Sequence, residues 1–162
     1  MSSSSKLKVL LDSTYLLPIL GIKVEGTDEA LVTLNKLWKS RILEVYYTPF
    51  SILEILGKIS RVKYDRNIVR TGLSLINEKF KLIHPTTEGY MKALELRSKG
   101  FKDLIDLLLY VTSLTQRVKF LTRDDALINF LENQGEELGN IVHERVFIER
   151  YGAEKGISDH HG

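Results

Sequence analysis

Apolar residues alternate between short runs and helical spacing along this chain. Lys8 is followed by Val9-Leu10-Leu11, and the run stops at Asp12-Ser13-Thr14. A short apolar run closed by polar residues is the pattern of a buried parallel strand, so residues 7–11 are read as the first strand. Residues 42–47, rich in β-branched and aromatic side chains, make the second strand. Residues 80–84, stopped by Pro85, make the third, and residues 118–122 the fourth. Residues 141–148 read as an added edge strand.

The segments between these runs repeat with helical period. Residues 13–20 form a short helix that Pro18 limits. Thr27 caps a helix with Asp28 and Glu29 in its first turn and Leu31, Leu34, Leu37 and Trp38 on one face. Thr48-Pro49 starts the next, threonine as cap and proline at the first helical position, with Ile52, Ile55, Leu56 and Ile59 inward. Asp65 caps a helix through Ile68, Val69, Leu73 and Ile76. Thr87 opens one that Gly100 stops. Residues 104–114 are apolar for too long to be a strand, and Asp124 or Asp125 caps a last helix through Ala126, Leu127, Phe130 and Leu131. This alternation predicts an α/β fold with a mainly parallel sheet of four or five strands and right-handed crossovers. The two helices between strands two and three exceed what one crossover needs, and are placed to clamp the sheet's carboxyl edge.

Composition narrows the class. The chain has 162 residues, 43% hydrophobic and 27% charged, which suits one globular domain over 6–151 between a polar lead at 1–5 and a flexible tail at 152–162. It has no cysteine, which removes disulfides and thiolate metal sites. No apolar run approaches the roughly 18 residues of a membrane span, and the start lacks the basic-then-apolar layout of a secretory signal. A cytoplasmic protein without membrane contact is expected. The net charge of +2 is too mild to announce nucleic-acid binding. Lys58, Arg61, Lys63, Arg66 and Arg70 nevertheless cluster with Asp65 as the sole acid among them. That run reads either as a solvated helix face or as a surface for phosphates.

Four acids occupy positions of one structural kind. Asp12 ends strand one, Glu54 lies about one turn into the helix after strand two, Asp106 sits near the start of the long apolar helix, and Asp124 follows strand four. In a parallel sheet these places share one edge. Four carboxylates there repel one another unless cations neutralise them, and hard oxygen ligands suit Mg²⁺ or Mn²⁺. Each acid also has a plain structural use. Asp12 serves as a helix cap, Glu54 as the i,i+4 partner of Lys58, and Asp124 or Asp125 as a cap. Asp106, among Leu104, Ile105, Leu107 and Leu108, needs a partner. No Gly-rich phosphate loop and no nucleophile elbow is present.

With Val9-Leu10-Leu11-Asp12-Ser13, Ser51-Ile52-Leu53-Glu54, the segment from Asp106 to Ser113, and Phe120-Leu121-Thr122-Arg123-Asp124, the sequence resembles the PIN-domain nucleases, including the toxins of VapBC-type pairs. The resemblance spans residues 9–125 and implies a three-layer α/β/α fold. It implies an Mg²⁺- or Mn²⁺-dependent endoribonuclease in which Asp12, Glu54, Asp106 and Asp124 match the acidic quartet. Asp12, Asp106 and Asp124 are then metal ligands, and Glu54 either a ligand or the group that orients the nucleophile. Ser13 and Thr122 match the accompanying hydroxyls. Asp103 lies outside the minimal pattern, as helix cap or extra outer ligand. Arg123 and the Lys58–Arg70 run are candidates for phosphate contacts, and Arg123 could equally pair with a structural acid. RNA is the implied substrate, with an antitoxin protein and a homodimer as implied partners. The competing readings are a non-catalytic RNA- or protein-binding module of the same fold and a phosphorylation receiver. The receiver needs a second acid where Ser13 stands.

Overall fold

A computed structural model describes residues 6–152 of the chain. Leu7–Leu11 forms β1, the middle strand of a five-stranded sheet. Leu43–Tyr47 (β2) and Lys119–Thr122 (β4) flank it in parallel, with Val9 opposite both Val45 and Lys119. Lys81–Leu82 (β3) lies outside β2 and Ile141–His143 (β5) outside β4, again in parallel. The expected third strand thus shortens to two residues, both exposed, and Ile83 adds one further bond to Tyr47.

Because side chains alternate across a strand, β1 feeds two cores. Val9 and Leu11 face Asp28–Lys39 (α2), Pro49–Ile59 (α3), Arg66–Lys79 (α4) and Glu144–Tyr151 (α8). Leu10 and Phe120 face Thr87–Ser98 (α5), Leu104–Gln116 (α6) and Asp125–Asn133 (α7). The result is three layers, helices on both sides of the sheet. The chain steps from β1 to β2 to β3 with helices on one face, then from β4 to β5 with a helix on the other. Reversing direction while changing face keeps the crossovers of one hand. The reversal falls between β1 and β4, which makes the crevice beyond their carboxyl ends the switch point of the fold.

Local chemistry sets the pieces around that crevice. Ser13–Leu16 (α1) follows β1 at once and runs into a 3₁₀ turn, Leu17–Leu20, that contains Pro18. Thr48 accepts a bond from the Ser51 N–H and Pro49 opens α3, so the chain turns sharply at the end of β2. Helix α4 lies directly on the 3₁₀ turn through Gly72, where a Cβ would come within 2.5 Å of the Ile19 carbonyl oxygen. Of the two helices expected as a clamp, α4 is thus seated on the segment that follows Asp12.

Two expectations are corrected. Residues 141–148 are not one strand: β5 ends at His143, whose Nδ1 caps α8 by accepting the Arg145 N–H at 3.0 Å. Phe147 is then buried in the first core, with Ile148 and Tyr151 packed against it. Thr27 occupies the cap position of α2, but its hydroxyl donates to the Val24 carbonyl at 2.7 Å instead of accepting a helix N–H. A hydroxyl does either, and the carbonyl of the preceding loop lies closer to hand. Residues 1–5 and 153–162, expected as lead and tail, lie outside the described residues, while Gly152 is buried at the end of α8.

The end of α2 carries an unusual backbone. Arg41 donates its N–H to the Trp38 carbonyl and Ile42 to that of Leu37, the paired bonds of a Schellman motif. Arg41 holds φ at 62°, where glycine is the ordinary occupant, at a cost of about 1 kcal/mol.

Candidate active site

Asp12 is the first residue beyond β1 and caps α1, its Oδ1 accepting the Thr14 N–H at 3.0 Å. Burial pushes its carboxyl up to about 7, and the charge of Glu54 adds to the rise, while the Thr14 bond and Lys58 oppose it. Ser13, buried beside it, donates its hydroxyl to Glu54 Oε1 at 2.7 Å. Glu54 reaches this place from the second turn of α3, and its other oxygen lies 3.9 Å from Lys58 Nζ. The start of α3, fixed by Thr48 and Pro49, thus delivers the second acid to the first through a serine.

Asp106 and Asp124 make the other pair. Asp103 caps α6, accepting the Asp106 N–H at 3.1 Å, which sets Asp106 in the first turn. Asp124 follows β4 after one residue and caps α7 by accepting the Leu127 N–H at 3.1 Å. Its own N–H is donated to the buried hydroxyl of Thr122 at 3.0 Å. The Asp106 carboxyl is driven well above the usual carboxylate range. Burial is the largest cause, followed by a hydrogen bond to Asp124 and the charges of Asp103, Asp124 and Asp12. Carboxylates brought this close repel one another, which favours the uncharged form of Asp106. Of the two candidate caps of α7, Asp124 is the one used. Asp125 is exposed and lies 3.1 Å from His143 Nε2.

The four expected acids therefore come to one edge as two couples, Asp12 with Glu54 and Asp106 with Asp124. Each couple feels the other through Asp12 and Asp106. Asp103 caps α6 while its charge reaches Asp106. Among the described residues, no three carboxylate or histidine side chains are already gathered as a metal cage. The donors present are oxygen alone, the set that suits Mg²⁺ or Mn²⁺, and a cation beside Asp106 and Asp124 would relieve the repulsion that raises Asp106.

Of the two roles open to Arg123, the structure gives it the structural one. Its guanidinium donates to the carbonyls of Glu25 and Gly26, at 2.8 and 3.1 Å, and its Nε lies 3.5 Å from Glu144. Glu144 also accepts the buried Tyr15 hydroxyl at 2.6 Å. This Tyr15–Glu144–Arg123 group, behind Asp12, escaped the sequence reading. Its signal lay in Glu144, which a helix over 144–151 would have placed in a first turn at the same edge. The Lys58–Arg70 run stands nearer the acids. Residues 60–68 are all exposed, and the charge of Lys58 reaches Asp12.

A three-layer α/β/α domain with carboxylates brought to its switch point is the class this arrangement defines. Residues 9–131 match the family model of the PIN domain, and the chain belongs to that family. PIN domains are generally nucleases and typically use divalent metals. Among solved structures, the chain is similar to VapBC2 from Rickettsia felis bound to a promoter DNA fragment. The TM-score is 0.59 at 13% identity, over 85% of this chain and 97% of that one. It is similar to PAE2754 from Pyrobaculum aerophilum, with TM-score 0.59 at 14% identity over 91% and 96% of the two chains. It is also similar to FitAcB from Neisseria gonorrhoeae, with TM-score 0.52 at 11% identity over 76% and 93%. At these identities the likeness is one of fold. No curated protein matches the chain significantly. No described helix is long and apolar enough to cross a membrane.

Proposed function

We propose that this PIN domain is a divalent-metal-dependent endoribonuclease and the toxin of a toxin–antitoxin pair. The observation that carries the reading is the gathering of four acids at one sheet edge, Glu54 tied there by the Ser13 hydroxyl at 2.7 Å, with Asp106 raised by burial and by Asp124, Asp103 and Asp12, and Asp12 raised beside it. Buried acids that raise one another destabilise a fold, and a bound cation relieves them. Asp12, Asp106 and Asp124 would hold Mg²⁺ or Mn²⁺. When bound, the cation neutralises phosphate charge and makes water acidic enough to attack at neutral pH. Glu54, steadied by the Ser13 hydroxyl, orients the attacking water along the line of the scissile bond. The water oxygen bonds to phosphorus as the bond to the 3′ oxygen breaks, leaving a 5′ phosphate and a 3′ hydroxyl. Thr122 holds the turn that aims Asp124, and Asp103 fixes the helix end that aims Asp106. The Lys58–Arg70 run supplies phosphate contacts that position RNA without reading its sequence.

The VapBC and FitAB neighbours are pairs by name, which supports an antitoxin as partner, and a homodimer is part of the same proposal. The test is cleavage of mixed RNA with Mg²⁺, with Mn²⁺ and with EDTA, by the native chain and by Asp12→Asn/Asp106→Asn. Metal-dependent cutting absent from the variant is expected. A folded native chain that cuts no RNA under any condition would refute the reading. A second reading, a non-catalytic PIN-like binding module, draws on one observation, that no three described side chains form a cage.

A further inference from the structure

The opposite end of the sheet holds a second charged feature, of the other sign. Lys6 precedes β1, Lys39 ends α2, Arg41 precedes β2 and Lys79 ends α4. Together with Trp38 and Leu43 they line an open cleft of about 490 Å³. All four cations are exposed, and no carboxylate lines the cleft. Among the described residues none of the four has an ion-pair partner, and the nearby Glu44 is engaged by Lys81 at 2.7 Å. Lysines in the last turns of α2 and α4 suit the helix dipole. That accounts for neither Lys6 nor Arg41, which lie off the helices. Arg41 in particular stands, with φ of 62°, in the Schellman position where glycine is free of strain. A strained backbone that presents a cation to a cleft of cations points to an anionic occupant.

We infer that this cleft is a second RNA contact, binding the phosphate backbone of a single strand at a distance from the acidic edge. The inference rests on the RNA reading proposed above. Helix α4 runs between the two features: Arg66 and Arg70 stand in its first half, Lys79 at its end in the cleft, and its 14 residues span about 21 Å. An extended strand held at both ends matches that separation, whereas a compact anion needs only the cleft. Trp38, half-buried and nearly perpendicular to Phe80 at 5.3 Å between ring centres, adds an aromatic ring to the cleft lining, the kind of group on which bases stack.

The test uses the full chain carrying Asp12→Asn/Asp106→Asn in EDTA, so that binding is read without cleavage. The probe is a labelled single-stranded RNA of about twenty nucleotides. Adding Lys39→Glu/Arg41→Glu/Lys79→Glu is expected to weaken binding at least about tenfold, and to reduce the slope of log affinity against log salt by about 2. Arg41→Gly alone is expected to weaken binding about threefold while raising the melting temperature, since it removes a charge and a strain together. Unchanged affinity and salt slope in the triple variant would overturn the inference. So would equal competition by tripolyphosphate at equal phosphate concentration, which would make a compact anion the occupant, or equal binding of duplex DNA. Cleavage by the native chain is read separately. Weakened binding without any cleavage keeps the cleft and removes the nuclease, and cleavage with unchanged binding does the reverse.

Discussion

Replacing Asp12 by asparagine removes a charge that the folded chain holds at a cost. Burial takes this carboxyl from 3.8 to about 7, so the folded chain retains a proton that the unfolded chain has released. Stability from this group is complete below about pH 4, falls as pH rises toward 7, and is lost above that, at about 1.4 kcal/mol per pH unit. The ceiling at neutral or higher pH is about 4 kcal/mol, and relaxation with water entry brings the working magnitude to about 2 kcal/mol. Asparagine keeps an oxygen for the Thr14 N–H and carries no charge. For a chain of this size about 2 to 4 °C accompanies each kcal/mol. In EDTA near pH 8, Asp12→Asn is therefore expected to melt about 4 to 8 °C above the native chain, with the gap falling to about a third near pH 5. Mg²⁺ should raise the native melting temperature and close the gap, since a ligand of the folded state stabilises it by mass action. A variant no more stable than the native chain near pH 8, or a gap that ignores pH, would refute the argument from burial.

Three further outcomes follow from single contacts. Ser13→Ala removes the 2.7 Å bond to Glu54, and should lower RNA cleavage about 10- to 100-fold with RNA affinity unchanged, measured as kcat against KM. Gly72→Ala sets a methyl 2.5 Å from the Ile19 carbonyl oxygen and 2.9 Å from Leu20 Cδ2. A loss of about 1 to 3 kcal/mol is expected, read as a lower urea midpoint at constant slope. Tyr15→Phe takes the 2.6 Å bond from Glu144 and leaves it only Arg123. About 1 to 2 kcal/mol should be lost in thermal melts, and an unchanged melting temperature would mean that water replaces the hydroxyl.

The readable parts of this chain are those whose cause is local. Thr48-Pro49 specifies the start of α3 within two residues, and the run before Asp12 specifies β1 within five. That was enough to send Asp12, Glu54, Asp106 and Asp124 to one edge. It was not enough to pair them, because the nearness of Asp106 to Asp124 depends on how α6 packs beside β4. Residues 141–148 misled because no apolar break separates a three-residue strand from the helix that follows. The roles of Tyr15 and Arg123 were hidden by distance. Their partners lie 129 and about 98 residues away along the chain, and no periodicity speaks across such an interval. Arg41 escaped for another reason: helix ends expect glycine, so an arginine in that turn looks like ordinary surface until its φ is known.

The shortness of the outer strands has a consequence for how copies of this domain meet. β3 has two residues and β5 three, so neither rim offers more than a few open backbone groups. A neighbouring chain cannot add itself to so brief a ladder with much gain, and Lys81 puts a charge on one of the two rims. Runaway stacking of sheet upon sheet is thereby discouraged in the crowded conditions of expression. Among the described residues, the helical flanks are the broader surface for a second copy, side chain against side chain, where partner choice is written in surface shape and can be redesigned without disturbing the strands.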